Sequence, residues 1–159
     1  MTYSSGEYEA VFVVVADLNG DGKPDLVVAN HCQVLCGFGG AVNVLLGNGD
    51  GTFQAAVTYD SGGYYAQSVA VADVNGDGKP DLVVANECTT VNSYDTCVGN
   101  GNVSVLLGNG DGTFQAAVTY NSGADQAMSV ALADVNGNGT LDIIAANYSG
   151  VSGVLLGNG

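Results

Sequence analysis

Three short acidic segments carry the residues best suited to chemistry. The first is Asp17–Asp25 (DLNGDGKPD), and it recurs as Asp73–Asp81 (DVNGDGKPD) and Asp134–Asp142 (DVNGNGTLD). In each segment, oxygen-bearing side chains stand at positions 1, 3, 5 and 9, and position 6 is glycine. Calcium takes about six to eight oxygen ligands, and position 7 can add a backbone carbonyl. The spacing therefore predicts up to three calcium sites.

The predicted ligands are the four side chains and the position 7 carbonyl of each loop. They are Asp17, Asn19, Asp21, Lys23 and Asp25; Asp73, Asn75, Asp77, Lys79 and Asp81; and Asp134, Asn136, Asn138, Thr140 and Asp142. The third loop has one carboxylate fewer, so we expect it to bind calcium most weakly. Magnesium is less favoured because it prefers a tight octahedron that keeps several waters. The alternative is three acidic surface turns, since Asx-Gly pairs are common in turns.

The net charge of −14, with only two lysines and no arginine, disfavours negatively charged binding partners. Nucleic acids and anionic membrane surfaces are poor partners, because both are bound through Lys and Arg. The sequence has no run of about 18 apolar residues, so no transmembrane helix is predicted. Residues 1–5 lack the features of a signal peptide, so a secreted protein would be a mature or truncated form.

The chain is an internal repeat. Residues 44–59 are identical to residues 105–120, and residues 19–30 are identical to residues 75–86. The period is 56 residues from Asp17 to Asp73 and 61 residues from Asp73 to Asp134. The difference lies in one variable segment, which takes 14 residues from Asn30 to Val44, 19 in the second unit and 7 in the third. We expect one repeat domain over residues 1–159 with units near 3–58, 59–119 and 120–159.

Each unit is predicted to hold four short strands, because its Val-rich runs of 5–7 residues are bounded by Gly, Asn and Asp. The predicted strands are 10–16, 26–30, 42–46 and 53–59; 67–72, 82–86, 103–107 and 114–120; and 127–133, 143–147 and 153–156. The continuous apolar runs Val11–Val15 and Leu26–Ala29 are typical of strands buried on both faces. Four strands in a unit of this length predict β-propeller blades. An EF-hand is excluded because position 12 is never Glu, and an RTX solenoid is excluded by the period.

The order of apolar strand, DxNxDGxxD loop, DLVVAN strand and LLGNGDGTF turn resembles the FG-GAP/VCBS repeat of integrin-α-like β-propellers. The resemblance covers nearly the whole chain. It implies calcium bound in loops joining the first and second strands at one rim. It also implies ligand contacts at the opposite rim, which is partly built from the loops between second and third strands.

The number of blades departs from that family, in which seven are usual. This chain offers fewer than three complete units, and the third stops at Gly159, before an outer strand. Exposed flanks are unfavourable in a stacked architecture. Two interpretations stay open: the chain is a fragment of a longer propeller, or copies assemble as a homo-oligomer that closes a ring.

The cysteines occur only in the variable segments. Cys32 and Cys36 belong to the first unit, and Cys88 and Cys97 belong to the second. Because each pair comes with its own insertion, pairing within each loop is the simplest of the three connectivities. A zinc site made by all four thiols is the alternative. Disulfides imply an oxidising, extracellular compartment.

Catalysis is not expected. His31 and Cys32 are adjacent, so their side chains are poorly placed to act as a pair, and the sequence offers neither a Ser-His-Asp set nor a phosphate loop. Tyr64, Tyr65, Tyr94 and Tyr148 are placed in loops between strands, where they would suit recognition of a sugar or protein. The alternative is that they pack between blades.

The sequence thus predicts an extracellular, calcium-stabilised binding or adhesion module without catalytic activity. Its partner would be a protein or glycan ligand, with no nucleic-acid binding and no membrane insertion. A lectin-like glycan-binding propeller and a purely structural or self-assembling repeat are the two alternatives.

Overall fold

The computed structural model describes residues 2–4, 9–31, 39–94 and 96–157. These residues form strands and no helix. The strands are β1 Glu9–Ala16, β2 Asp25–His31, β3 Ala41–Leu45, β4 Val57–Asp60, β5 Tyr64–Ala72, β6 Asp81–Cys88, β7 Asn102–Leu106, β8 Val118–Asn121, β9 Ala127–Ala133, β10 Asp142–Asn147 and β11 Ser152–Leu155.

The strands form three antiparallel sheets, none of which is closed. Their orders are β1-β2-β3-β4, β5-β6-β7-β8 and β9-β10-β11. We call them blades 1, 2 and 3. The all-β prediction is confirmed, with every inner strand within a few residues of its expected bounds. No described residue belongs to a helix that could cross a membrane.

The outer strand is shorter than predicted. The expected strands 53–59 and 114–120 are reduced to β4 and β8, which begin at Val57 and Val118. Phe53 and Phe114 each make only an isolated bridge, to Gly47 and Gly108. After the bridge, Gln54 N–H still donates to the Leu46 carbonyl at 2.8 Å, and regular pairing resumes only at Val57.

The blades stack face to face through two apolar layers. Between blades 1 and 2, Val27, Val42 and Val44 pack with Leu82 and Val84. Between blades 2 and 3 a second layer contains Val83, Val103, Val105 and Ala145. Successive residues of a strand point to opposite faces, so each blade has a front face toward the next blade and a back face toward the previous one.

The prediction that Val11–Val15 is buried on both faces is wrong for this chain. Val11, Val13 and Val15 on the back of β1 are all exposed, whereas Val27, Val28 and Ala29 of β2 are buried as predicted. The physical reason is that the described residues place a blade only against the front of blade 1.

Candidate metal loops and the opposite rim

The three acidic loops share one internal fold. In the first loop, Asp17 accepts hydrogen bonds from the backbone N–H groups of Gly20 (2.9 Å), Asp21 (3.2 Å) and Gly22 (2.9 Å). Asn19 Oδ1 accepts from the Asp21 N–H at 3.0 Å. The second and third loops repeat these bonds at their own positions. The side chains at positions 1 and 3 are therefore turned inward onto the loop's own backbone.

Position 5 distinguishes the loops. Asp21 Oδ1 accepts from the Lys23 N–H at 2.9 Å, and its Oδ2 lies 3.1 Å from Lys23 Nζ. Asp77 has the equivalent lysine, Lys79, at 3.5 Å. In the third loop, Asn138 Oδ1 accepts instead from the N–H and hydroxyl of Thr140, at 2.8 and 2.6 Å. The position 5 oxygen of the third loop is thus uncharged, and weaker calcium binding there stays a prediction.

The hydrogen bonds also set the acidity of these exposed carboxyls. The Lys23 backbone N–H, followed by the Lys23 side chain, lowers the pKa of Asp21 below its ordinary 3.8. The N–H groups of Gly78 and Gly139 are the main causes that lower the pKa values of Asp73 and Asp134. Each loop therefore favours the ionised carboxylate that a cation requires.

Position 9 has a structural role that the sequence did not reveal. Asp25 is fully buried, and its Oδ2 accepts from the Leu18 N–H at 2.9 Å. Its Oδ1 accepts from the Gly47 N–H at 2.7 Å, in the turn between β3 and β4. Asp81 and Asp142 bind the Gly108 and Gly157 N–H groups at 2.8 and 2.7 Å. This carboxylate thus joins the acidic loop to the LLG turn in all three blades.

The glycine of the LLG turn is required by a close approach. A Cβ on Gly47 or Gly108 would collide with the carbonyl oxygen of Pro24 or Pro80, the residue before the position 9 aspartate. Two motifs that looked separate in the sequence are therefore one packed unit. A repeated Gly after a Leu-Leu pair was the only sequence signal for it.

The donor chemistry of the loops fits a hard cation, since every predicted ligand is an oxygen. Within the described residues, no three His, Cys, Asp or Glu side chains come together as a metal site. The position 9 carboxylate is buried and bonded to two backbone donors. The side chains at positions 1, 3 and 5 are also hydrogen-bonded within the loop, but they are not buried and are the more accessible to an ion. The proposed ligand sets are untested and stay predictions.

The opposite rim is formed by the loops after β2, β6 and β10. Cys88 and Cys97 form a disulfide that closes the loop of blade 2. This pairing was predicted, and it rules out a zinc site made by all four thiols. The predicted Cys32–Cys36 pair lies outside the described residues.

The predicted loop position of two tyrosines is wrong. Tyr64 and Tyr65 begin β5, and Tyr65 is only 5% exposed because its ring packs at 4.5 Å against His31 of blade 1. The His31 ring lies between two carboxylates, with Nδ1 3.7 Å from Glu9 Oε2 and Nε2 3.8 Å from Glu87 Oε2. Packing between blades, the alternative for the tyrosines, therefore holds for Tyr65.

The other two tyrosines remain on the surface. Tyr94 is 87% exposed and Tyr148 is 76% exposed. Tyr148 lines a groove of about 310 Å³ together with Cys97, Asp125, Gln126 and Ser149. The groove lies between the disulfide loop of blade 2 and the tips of blade 3. Gln126 adopts a positive φ of 53°, a backbone conformation that is unusual for a non-glycine residue.

Buried asparagines hold the rim together, and the sequence did not single them out. Asn86 accepts from the Ser61 hydroxyl at 2.6 Å and donates to the Ser61 carbonyl at 3.1 Å. Ser61 follows β4, so this pair fastens the connection between blades 1 and 2. Asn147 donates to the Ser122 carbonyl at 3.1 Å at the same place between blades 2 and 3.

Stacked antiparallel sheets of three or four strands, with an acidic loop between the first two strands of each, define a β-propeller-type repeat protein. A sequence model of the FG-GAP-like repeat matches residues 17–84 and 96–145. The chain belongs to the FG-GAP-like repeat family.

One curated relative is Integrin alpha-PS5 of Drosophila melanogaster. It is 34% identical over 113 residues, which cover 67% of this chain and 10% of the relative. The chain thus spans about a tenth of that protein's length. The repeats and this similarity agree with the β-propeller-type architecture of the described residues.

Proposed function

We propose that the chain is an extracellular, non-catalytic binding module of the adhesion type, stabilised by calcium at the acidic rim and contacting its ligand at the opposite rim. The observation that carries the proposal is the groove beside Tyr148. It combines an exposed aromatic ring, polar side chains and a disulfide-fixed wall on the rim where the units differ in length.

Calcium has a structural role in this proposal. An ion held by positions 1, 3 and 5 would compensate the carboxylates at positions 1 and 5 of the first two loops and the one at position 1 of the third. Two such charges about 4 Å apart would repel by roughly 4 kcal/mol near a protein surface. The same loop is attached through position 9 to the LLG turn, as at Asp81 and Gly108. Fixing the loop would therefore stiffen both turns at that end of the blade.

The ligand site is assigned to the variable rim because exposed tyrosine supplies large contact area at low entropic cost. The acidic rim repeats nearly the same residues three times, which suits a common structural task. The variable rim differs in every blade, which suits recognition.

Binding to immobilised extracellular matrix proteins, measured by surface plasmon resonance, tests the proposal. We expect Tyr148→Ser to reduce binding at least about tenfold, the loss typical of a hot-spot aromatic. Tyr120→Ser is the matched control, because Tyr120 is also exposed but lies on an outer strand. Equal binding by wild type and Tyr148→Ser would contradict the placement of the site.

A glycan ligand is the second candidate. The polar lining by Asp125, Gln126 and Ser149 beside one aromatic ring favours it, because sugars are held by hydrogen bonds and a stacked ring. A glycan array probed with wild type and Tyr148→Ser separates the candidates. Binding to glycans that the variant loses would favour the lectin-like function over a protein ligand.

A further inference from the structure

The position 5 aspartates of the first two loops use their two oxygens differently. Asp21 Oδ1 accepts from the backbone N–H of Lys23 at 2.9 Å, whereas Asp21 Oδ2 accepts from the Nζ of the same lysine at 3.1 Å. Asp77 repeats this arrangement with Lys79, whose N–H lies at 2.9 Å from Oδ1 and whose Nζ lies at 3.5 Å from Oδ2. A lysine ammonium therefore lies against the oxygen that the backbone N–H at position 7 does not use.

The stem of each lysine is positioned by the turn that follows the third strand of its blade. A Cβ on Gly49 would come within 2.9 Å of Lys23 Cδ, and a Cβ on Gly110 would come within 3.1 Å of Lys79 Cδ. Each lysine thus lies along a stretch of turn backbone that has no side chain. The two lysine side chains are 43% and 44% exposed, so water can take up the ammonium when it leaves the aspartate.

The third loop has neither charge of this pair. Asn138 and Thr140 stand in place of the aspartate and the lysine, and the Thr140 hydroxyl donates to Asn138 Oδ1 at 2.6 Å. Positions 1, 5 and 7 carry two negative charges and one positive charge in the first two loops, and one negative charge in the third. The lysine thus compensates the additional carboxylate, and the net charge of these three positions is the same in every loop.

We propose that Lys23 and Lys79 are tethered counter-ions that calcium must displace, so that they raise the calcium concentration at which the first two loops fill. This inference rests on the proposed calcium role of the acidic loops. An ammonium and a calcium ion repel each other and cannot both lie against the same Oδ2. The residue at position 7 therefore has two opposed effects, since its backbone carbonyl is a predicted ligand and its side chain is a competitor.

The competition is moderate because the ion pairs are exposed. Each lysine should weaken calcium binding to its own loop about two- to fivefold, which is the factor that an exposed ion pair supplies. This factor offsets part of the advantage that the third carboxylate gives to the first two loops. These loops stay the tighter ones, by less than their count of carboxylates alone predicts.

A calcium titration of the full chain followed by amide NMR tests the proposal loop by loop. The N–H groups of Gly22, Gly78 and Gly139 donate to the position 1 aspartates of their own loops, so each amide signal reports one site. Lys23→Met retains the stem and removes the charge. We expect it to lower the calcium dissociation constant read at Gly22 about two- to fivefold. The constant read at Gly78 should stay at the wild-type value, which makes it the internal control for the change in net charge.

The third loop provides the converse experiment. Asn138→Asp gives this loop three carboxylates without a lysine, and the further change Thr140→Lys recreates the charges of the first loop. We expect the double variant to bind calcium about two- to fivefold more weakly than Asn138→Asp alone, as read at Gly139. Asn138→Asp combined with Thr140→Met is the matched control, because it also removes the hydroxyl and adds a long side chain but adds no charge. It should bind calcium as Asn138→Asp does.

The outcomes separate this proposal from the calcium role on which it rests. If none of the three glycine amides responds to calcium, the calcium role and the tethered counter-ions are both wrong. If the amides respond but Lys23→Met leaves the constant at Gly22 unchanged, the calcium role stands and the counter-ion proposal is wrong. Equal changes at Gly22 and Gly78 would show an effect of overall charge and would overturn local displacement.

Discussion

Replacing Asp81 by Asn tests whether position 9 is part of the folded framework even without a metal. Asp81 is fully buried, and its two oxygens accept from the Gly108 N–H at 2.8 Å and the Val74 N–H at 3.0 Å. An amide has a single acceptor oxygen, so in Asp81→Asn the new NH₂ group must face one of these N–H donors. One hydrogen bond is lost, and two donors are brought together.

The expected loss of unfolding free energy is about 2–4 kcal/mol. A hydrogen bond to a charged group contributes about 1.5–3 kcal/mol, and a buried donor left without a partner costs about 1–3 kcal/mol. Both ranges include the loss of the same hydrogen bond, so they are two estimates of one effect and are not added together. The loss should be present in EDTA, because both bonds are internal to the protein.

Urea denaturation followed by far-UV circular dichroism, with EDTA and with calcium, measures this effect. Asp77→Asn is the matched control, because Asp77 is exposed and an Asn there can still accept from the Lys79 N–H. In EDTA we expect the control to stay within about 0.5 kcal/mol of wild type, as exposed substitutions usually do. With calcium it should lose a part of the metal-dependent stabilisation, because it weakens one of the three loops. If Asp81→Asn unfolds at the wild-type midpoint in EDTA, the framework role is refuted.

Three further predictions follow from the loops and turns. Gly108→Ala should destabilise by about 3 kcal/mol, because its Cβ would collide with the Pro80 carbonyl. Gly76→Ala, in open space at a φ of +78°, should cost only about 1–2 kcal/mol in the same urea experiment. Asn138→Asp should tighten calcium binding at the third loop, measured by calorimetry, because it restores the third carboxylate. Finally, the Thr113 hydroxyl and then the Thr113 N–H lower the pKa of Asp111 below 3.8. The stabilisation of the folded state by ionised Asp111 is complete above about pH 4. It is lost as the pH falls through the lowered pKa of the folded state, so the urea midpoint should drop only in acid.

Each of these predictions has a contradicting result. The predicted collision at Gly108 is wrong if Gly108→Ala lowers the free energy of unfolding no more than Gly76→Ala does. The charge argument fails if Asn138→Asp leaves the calcium affinity unchanged. The acid prediction fails if Thr113→Val, which removes the hydroxyl donor, leaves the acid-induced drop unchanged.

The strands and the disulfide of blade 2 were predictable because their signals are local. Apolar runs such as Leu82–Asn86 are bounded by turn residues, and Cys88 and Cys97 arrive together in one insertion. The family also follows from motifs read directly in the chain. Local patterns of this kind need no knowledge of what packs against them.

The remaining features depend on contacts between distant segments. An aspartate at position 9 fits a calcium loop equally well whether or not it binds Gly47, 22 residues away. Tyr65 lies in a Gly-Gly-Tyr-Tyr stretch typical of a loop, but its N–H donates to the Gly39 carbonyl at 3.2 Å, and β5 begins there. The exposure of Val13 depends on whether another blade covers it. Sequence periodicity alone cannot supply that information.

A calcium titration of the metal-free full-length chain tests the central claim most directly. Isothermal calorimetry should show binding heat with two tighter sites and one weaker site, and thermal unfolding should shift to higher temperature as the sites fill. No heat and no thermal shift would contradict the account of the acidic loops as calcium sites that stabilise the blades.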